Sequence, residues 1–413
     1  MNINSRKRHL RPSVADLRGW AQLATQATRG VTAIVEGVHQ SVWRTLGAPA
    51  GEHDGRTRGL TGSVYRGIDG ITRKVGGGVD GFLARLQERF DSDDQDSPHG
   101  IAMRSIMNGV MGDHLVASAN PLALPMSLRR AGIEVTAQRA RTLHDPRRHI
   151  VLSIHGLCMN DLQWRGDHRG DEVDHAATVA AALGATALSL RYNTGLHVSE
   201  NGRSLSELLA QLVAFWPVPI EQITFVTHSM GGLVARSACH HGEDTGQLWR
   251  TRLRHLVFLG TPHHGAPLER GGQWLDRLLG QSLFSAPFAA LGQMRSAGIT
   301  DLRHGNVRDA DWQGRDRFTS AHDHREHLPL PDDVACFSVA ATLAARRGPL
   351  AERLIGDGLV PLHSALGQHD VADRDLGLHR HAHWISHGTG HIELLYRPEV
   401  GTQIVNWCLK LRD

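Results

Sequence analysis

The chain has 413 residues, 40% of them apolar and 21% charged, with a formal net charge of +3. That composition supports a buried core and excludes a low-complexity or wholly disordered protein; the absence of any long uninterrupted apolar run excludes a transmembrane helix. The length suits one large domain with an appendage, or about two or three ordinary domains. Charge is uneven: residues 1–90 hold 14 Lys/Arg against 7 Asp/Glu, an excess of +7, and the remainder holds 31 against 35. A basic first quarter favours anionic surfaces. It lacks the aromatic interleaving of a single-strand nucleic-acid binder, so no nucleic-acid partner is expected. Cys158, Cys239, Cys336 and Cys408 are widely spaced and form no C-x-x-C pair. That is the usage of a reduced, cytoplasmic protein rather than of a disulfide scaffold or a zinc ribbon. Residues 1–8 are basic but no apolar stretch follows them, so they do not read as a secretory signal.

Over residues 13–46 apolar side chains recur at helical spacing, with a capping box at Ser13 to Asp16 and a stop at Gly47-Ala48-Pro49. A second stripe runs Leu60, Val64, Ile68, Ile71, Val75, Val79, Phe82, Leu86, Phe90, with Gly76, Gly77 and Gly78 inside it. Each interior glycine costs about 1 kcal/mol, so such a helix needs a surface to pack on. Packing on the body or on a second copy of the chain is the ordinary reading, and it leaves a homo-oligomer open. Peripheral membrane contact through residues 1–90 is the sharper one. Residues 91–98 form an acidic linker, and residues 1–130 read as an N-terminal helical extension. From residue 131 to 413 the pattern alternates. Residues 133–141 read as an antiparallel strand. Residues 149–154, 185–190, 223–227, 253–259, 334–339 and 382–386 read as strands. Residues 173–183, 205–216, 231–240 and 399–411 read as helices. Alternating helices and continuously apolar strands predict an α/β fold with a mostly parallel sheet covered on both faces.

Residues 223–235 read Ile-Thr-Phe-Val-Thr-His-Ser-Met-Gly-Gly-Leu-Val-Ala. An apolar strand runs into a turn of small residues from which a helix opens. This places Ser229 at a strand-to-helix elbow, beside a helix N-terminus whose partial positive charge favours an oxyanion. Thr227 stands where the G-x-S-x-G pattern has its first glycine. A plain helix N-cap is the bland alternative for such a serine; strand, turn and following glycines favour a nucleophile. A serine hydroxyl needs a base oriented by a carboxylate. Asp357, between Gly356 and Gly358, is the candidate acid, with Asp332 and Asp333 as rivals. Among 28 histidines, His391 in Gly-Thr-Gly-His-Ile-Glu is the candidate base and His387 the runner-up. Two backbone N–H groups must hold an oxyanion: Met230, next after the serine, and Leu157, in the His155-Gly156-Leu157-Cys158 loop after an early strand.

Together with Leu259-Gly260-Thr261-Pro262-His263-His264-Gly265, these segments resemble the α/β-hydrolase superfamily. Within it they resemble bacterial lipase/esterase-like proteins related to GPI-inositol deacylases. The resemblance covers roughly residue 132 to the C-terminus. It implies an α/β-hydrolase fold with a lid inserted at about 266–331, where Trp274, Leu278, Phe284 and Leu291 belong to an apolar stripe. It implies a Ser229–His391–Asp357 triad that cleaves small-molecule or lipid carboxylic esters as an esterase or lipase. His155, Gly156, His228, His263 and Tyr192 would border the substrate, although positioning of the Thr-Pro-His-His-Gly loop is the plainer role for His263. An acyltransferase or thioesterase with the same triad is one alternative; a non-catalytic protein docking on membranes or granules is another. No cofactor is expected, since neither a Walker A loop nor a dinucleotide fingerprint occurs. No metal is expected either: lipase-type chemistry needs none, and the His-rich stretches at 322–327 and 379–383 are weak signals in so His-rich a chain.

Overall fold

The computed structural model describes residues 98–266, 295–317, 323–344, 356–378 and 382–410. Both N-terminal stripes, the acidic linker up to residue 97, the apolar stripe of the expected lid, and His322, His379 and His381 lie outside them. The described residues divide into two units. In the smaller, which includes Ala117–Leu122, the Leu122 amide donates to Asn120 Oδ1 at 2.9 Å. The larger comprises Ile101–Val116 and the chain from Ala123 onward, and everything below concerns it.

Helix α1 (Pro98–Ala117) kinks at Met111, where φ is −141°. Strands β1 (Ser127–Arg130) and β2 (Ile133–Glu134) form a tight antiparallel hairpin through Ala131 and Gly132, both at positive φ. The antiparallel strand expected over 133–141 is therefore mostly absent. Thr136 Oγ1 accepts from the Arg139 amide and starts the one-turn helix α2 (Ala137–Ala140) instead. A hydroxyl that can satisfy a helix N-terminus competes with strand pairing.

Next come β3 (His149–Ile154), a small hairpin of β4 (Gly166–His168) and β5 (Asp171–Val173), α3 (His175–Leu183) and β6 (Thr186–Arg191). Helix α4 (Val198–Phe215), β7 (Gln222–His228), α5 (Met230–Asp244) and β8 (Leu253–Leu259) follow. The chain continues through α6 (Ala297–Asp301), β9 (Ala335–Thr342), α7 (Leu362–Ala365), β10 (His383–His387) and α8 (Pro398–Lys410). Among the described residues, eight strands form one sheet in the order β10-β9-β8-β7-β3-β6-β1-β2. The pairs from β10 to β6 are parallel, and β1 and β2 add an antiparallel edge.

The strands are continuously apolar because successive side chains enter two different cores. Ile150, Leu152, Ile154, Phe225, Leu256 and Phe258 pack on one face with α4 and α5. Val151, Val226, Val257 and Val339 pack on the other with α3 and α8. Helix α3 opens on Asp174, whose carboxylate accepts from the Ala177 amide at 2.9 Å, and closes on Gly184 at φ +65°. Helix α4 begins seven residues before the helix read from apolar spacing. Its first two turns are polar but buried: Ser199, Asn201 and Gly202 lie against the body, and a Cβ on Gly202 would sit 2.3 Å from Ser237 Oγ on α5. Hydrophobic periodicity has no purchase on a helix face whose contacts are made by small polar residues.

Candidate active site

Ser229 joins β7 to α5 with φ +53° and ψ −126°. A β-carbon makes that conformation costly by about 1–3 kcal/mol, and the surrounding contacts hold it. The Ser229 amide donates to Leu259 O at 2.9 Å, which ties the turn to β8. The glycines around it are demanded by space. A Cβ on Gly231 would stand 2.3 Å from Ile154 O and one on Gly232 2.1 Å from Thr261 Oγ1. A Cβ on Gly156 would stand 2.9 Å from Ser229 Cβ. Thr227, the departure from the glycine pattern, is accommodated because its Oγ1 donates to Val257 O at 2.9 Å within the sheet.

Asp357 and His391 meet directly. Asp357 Oδ2 lies 2.6 Å from His391 Nδ1, and Asp357 Oδ1 accepts the amides of Leu359 at 3.0 Å and Val360 at 2.8 Å. The His391 amide donates to Asp357 O at 3.1 Å, so backbone and side chain join the two loops twice. Both loops leave the carboxyl ends of neighbouring parallel strands, β9 and β10. The imidazole of His391 faces Gly260, where a Cβ would be 3.1 Å from the ring. His228 links this pair to the serine beside it. Its Nε2–H donates to His391 O at 3.1 Å, and the two rings lie 4.7 Å apart. Burial, aided by the charge His391 can carry, pushes the His228 imidazolium well below the ordinary histidine range. It therefore stays neutral and keeps that proton on Nε2. Ser229, Asp357 and His391 are 5%, 3% and 4% exposed, so all three sit just under the surface. The hydrogen bond to Asp357 belongs to His391; His387 ends β10 opposite Thr342. The rival acid Asp333 is taken by Arg250 at 2.6 and 3.1 Å.

After β3 the chain turns back through Gly156 to Met159, closed by the Met159 amide on Gly156 O at 3.3 Å. His155 Nδ1–H also donates to Gly156 O, at 2.9 Å. In a trans peptide the C=O and N–H point opposite ways. Fixing the Gly156 carbonyl from one side thus turns the Leu157 N–H to the other. Among the described residues no acceptor takes the amide of Leu157 or of Met230. Burial lowers the His155 pKa to about 4, against the raising effect of its bond to Gly156, so the ring is neutral at pH 7. Tyr192 stacks on it at 4.5 Å and its hydroxyl donates to His155 O at 2.8 Å.

Of the residues expected to border substrate, His155, His228, His263 and Tyr192 are buried. The Tyr192 hydroxyl and one ring nitrogen of each histidine are hydrogen-bonded within the protein, whereas His155 Nε2, His228 Nδ1 and His263 Nε2 are buried with no partner among the described residues. His263 packs edge-on against Phe258 at 4.6 Å and receives an Arg236 N–H at 3.4 Å. The loop carrying it is held by Ser364, whose hydroxyl accepts the His264 amide at 3.0 Å and donates to Gly265 O at 2.8 Å. Asp323, in a His-rich stretch, is committed to Arg325 and Arg374 at 2.8 and 2.7 Å. Those guanidinium groups overcome its burial and hold its carboxyl well below the usual carboxylate range. A cavity of about 460 Å³ lies elsewhere and is not lined by Ser229, Asp357 or His391: its lining includes Asp145, Arg147 and Ala185, which precede β3 and β6. Sequence reasoning gave no role to Gly109, which packs on Cys158 in the Gly156–Met159 turn, or to Gly112, which packs on Asn193. Asn193 and Thr194 directly follow Tyr192, which was expected to border substrate, and two glycines at helical spacing are the sign of Gly109 and Gly112.

Residues 146–329 match the PGAP1-like alpha/beta domain family. No curated protein matches the chain. Similar solved structures include the mature lipase BlEst2 of Bacillus licheniformis, at 16% identity over 65% of this chain and 93% of that one, with a TM-score of 0.36. Lipase 1 of Pelosinus fermentans is 14% identical over 64% of this chain and 98% of that one, with a TM-score of 0.41. The hyperthermophilic esterase of the archaeon Pyrobaculum calidifontis is 14% identical over 79% and 94%, with a TM-score of 0.38. With its parallel sheet, its antiparallel edge and its match to the PGAP1-like alpha/beta domain, the chain has the α/β-hydrolase fold.

Proposed function

We propose that the protein is a serine hydrolase that cleaves carboxylic esters of the esterase or lipase class. The observation that carries this reading is the buried His391–Asp357 hydrogen bond at 2.6 Å, stitched through His228 to a serine at φ +53°. In the proposed reaction Ser229 Oγ attacks the ester carbonyl while His391 Nε2 takes its proton. Asp357 keeps the other ring proton on Nδ1 and stabilises the imidazolium. The amides of Leu157 and Met230 accommodate the oxyanion at the start of α5, where the helix dipole adds to them. The imidazolium then protonates the leaving alkoxide as the C–O bond breaks. Water, deprotonated by His391, resolves the acyl-enzyme and returns the serine.

Ser229→Ala should lower turnover of a p-nitrophenyl ester by roughly four or more orders of magnitude and abolish fluorophosphonate labelling. Near-normal turnover in that variant would rule out Ser229 as the nucleophile. The returning limb of the long insertion supports the lid reading. Gly298 on α6 donates its amide to Gly195 O at 3.1 Å, and a Cβ there would lie 3.1 Å from Met230 Cε, beside one oxyanion donor. We also infer that residues 1–90 touch anionic membrane surfaces, from their +7 excess and apolar stripe. Full-length protein should then co-sediment with phosphatidylserine-containing vesicles more than protein lacking residues 1–90; equal binding would dispose of the idea.

A further inference from the structure

The Gly156–Met159 turn presents the Leu157 amide, yet its third residue is strained. Cys158 has φ +60°, a left-handed conformation that favours glycine. A cysteine holds it at a cost, so something outside the turn must enforce it. Two contacts do so. The Cys158 amide donates to Thr194 Oγ1 at 3.1 Å, in the loop after β6. From α1, Gly109 is pressed against Cys158 so closely that a Cβ would lie 2.2 Å from its Sγ and 3.0 Å from its Cα and N.

The clamp is itself braced. A Cβ on Gly112, one turn along α1, would stand 1.9 Å from Asn193 Oδ1, and Asn193 Nδ2 donates to Gly112 O at 3.0 Å. A Cβ on Gly195 would stand 2.0 Å from Asn108 O. Ser296 Oγ, at the start of α6, donates to Gly109 O at 2.6 Å. The two glycines therefore let a helix backbone lie directly on the Cys158 turn and on the 193–195 loop. Helix α1 precedes the sheet in the chain and contributes no group to the candidate triad.

We propose that Thr194 and the Gly109–Gly112 face of α1 are positioning residues for the oxyanion hole: together they lock Cys158 in its left-handed conformation and thereby hold the Leu157 amide in place. This rests on the serine-hydrolase reading above. A displaced donor lowers transition-state stabilisation without weakening ground-state binding, so the effect belongs in kcat.

The test uses the full chain and compares Thr194→Val, Thr194→Ser, Gly109→Ala and Gly109→Ala/Cys158→Gly. Readouts are the thermal midpoint, kcat and KM on p-nitrophenyl butyrate, and the rate of fluorophosphonate labelling. Thr194→Val preserves shape but removes the acceptor; it should lower kcat and labelling rate about 10-fold or more with KM little changed, and Thr194→Ser should restore most of that loss. Gly109→Ala should lower both by about 10- to 100-fold, and Cys158→Gly, by removing Sγ, should recover part of it. Should Gly109→Ala not fold, the Thr194 pair decides alone. Folded Thr194→Val with wild-type kcat and labelling rate would overturn the proposal. So would a kcat loss that merely tracks loss of folded protein, or one that Thr194→Ser does not relieve. Ser229→Ala run alongside separates the two readings. If it abolishes labelling while Thr194→Val is inert, only the clamp fails; if it labels normally, the hydrolase reading fails and the clamp with it.

Discussion

Asp357 divides its two oxygens between two tasks: Oδ1 is bound by the amides of Leu359 and Val360, and Oδ2 by His391. Asp357→Asn keeps the volume but replaces one acceptor with a donor, which favours the wrong imidazole tautomer. We expect kcat to fall by about 10⁴-fold with KM nearly unchanged, measured on the same p-nitrophenyl ester. His228→Phe would leave the buried His391 carbonyl without its donor, costing about 1–3 kcal/mol, visible as a lower thermal midpoint. Ser229 could be read from sequence because its elbow is local: strand, turn and helix are consecutive. Asp357 was nearly as legible, since glycines on both sides announce a backbone forced into a tight loop. The clamp on Cys158 was not, because its partners stand 36 and 49 positions away along the chain.

At the scale of elements, glycines separate into those that shape the site and those that merely end helices. Gly231 starts α5 against the carbonyl of Ile154 on β3, and neither backbone can retreat. Gly231→Ala should cost about 1–3 kcal/mol and displace the elbow, so stability and turnover fall together. Gly184 closes α3 at φ +65° with nothing within 4 Å of a Cβ. Gly184→Ala should cost only about 1–2 kcal/mol of strain and leave turnover unchanged. Between these lies the core: Leu209 on α4 is fully buried, and Leu209→Ala should lose about 2–5 kcal/mol in denaturant unfolding. The parallel strands were legible because burial on both faces makes their apolar runs continuous. The polar opening turns of α4 and the helical turn after Thr136 were not, since capping and small-residue packing decided them.

Across the whole molecule, buried neutral histidines set the response to acid. Burial lowers His155 to about 4, His175 below its ordinary value, and His228 and His263 well below it. An unfolded chain protonates these rings near pH 6.5, so below that value it binds more protons than the folded one. The stabilisation is complete above about pH 6.5 and is lost as pH falls, for His155 down to about pH 4. Each such ring costs up to about 1.4 kcal/mol per pH unit in that window. Thermal midpoints measured from pH 8 to pH 4 should therefore fall steeply below about 6.5; a flat profile would mean these rings are not buried neutral.

The amino-acid sequence alone determined the α/β class, the strand-turn-helix elbow at Ser229 and the loop character of Asp357 and His391, because each follows from the side-chain pattern of a short segment. It did not decide the kink and packing of α1, the depth of His155, His228, His263 and Tyr192, or which of several late histidines meets the carboxylate. Those depend on parallel strands delivering residues 158, 194, 229, 357 and 391 to one end of a sheet, and on helix α1 laying residue 109 against residue 158. Contacts between such distant positions leave no local periodicity, and steric fit at a glycine or a shared carbonyl becomes visible only once the backbones lie side by side.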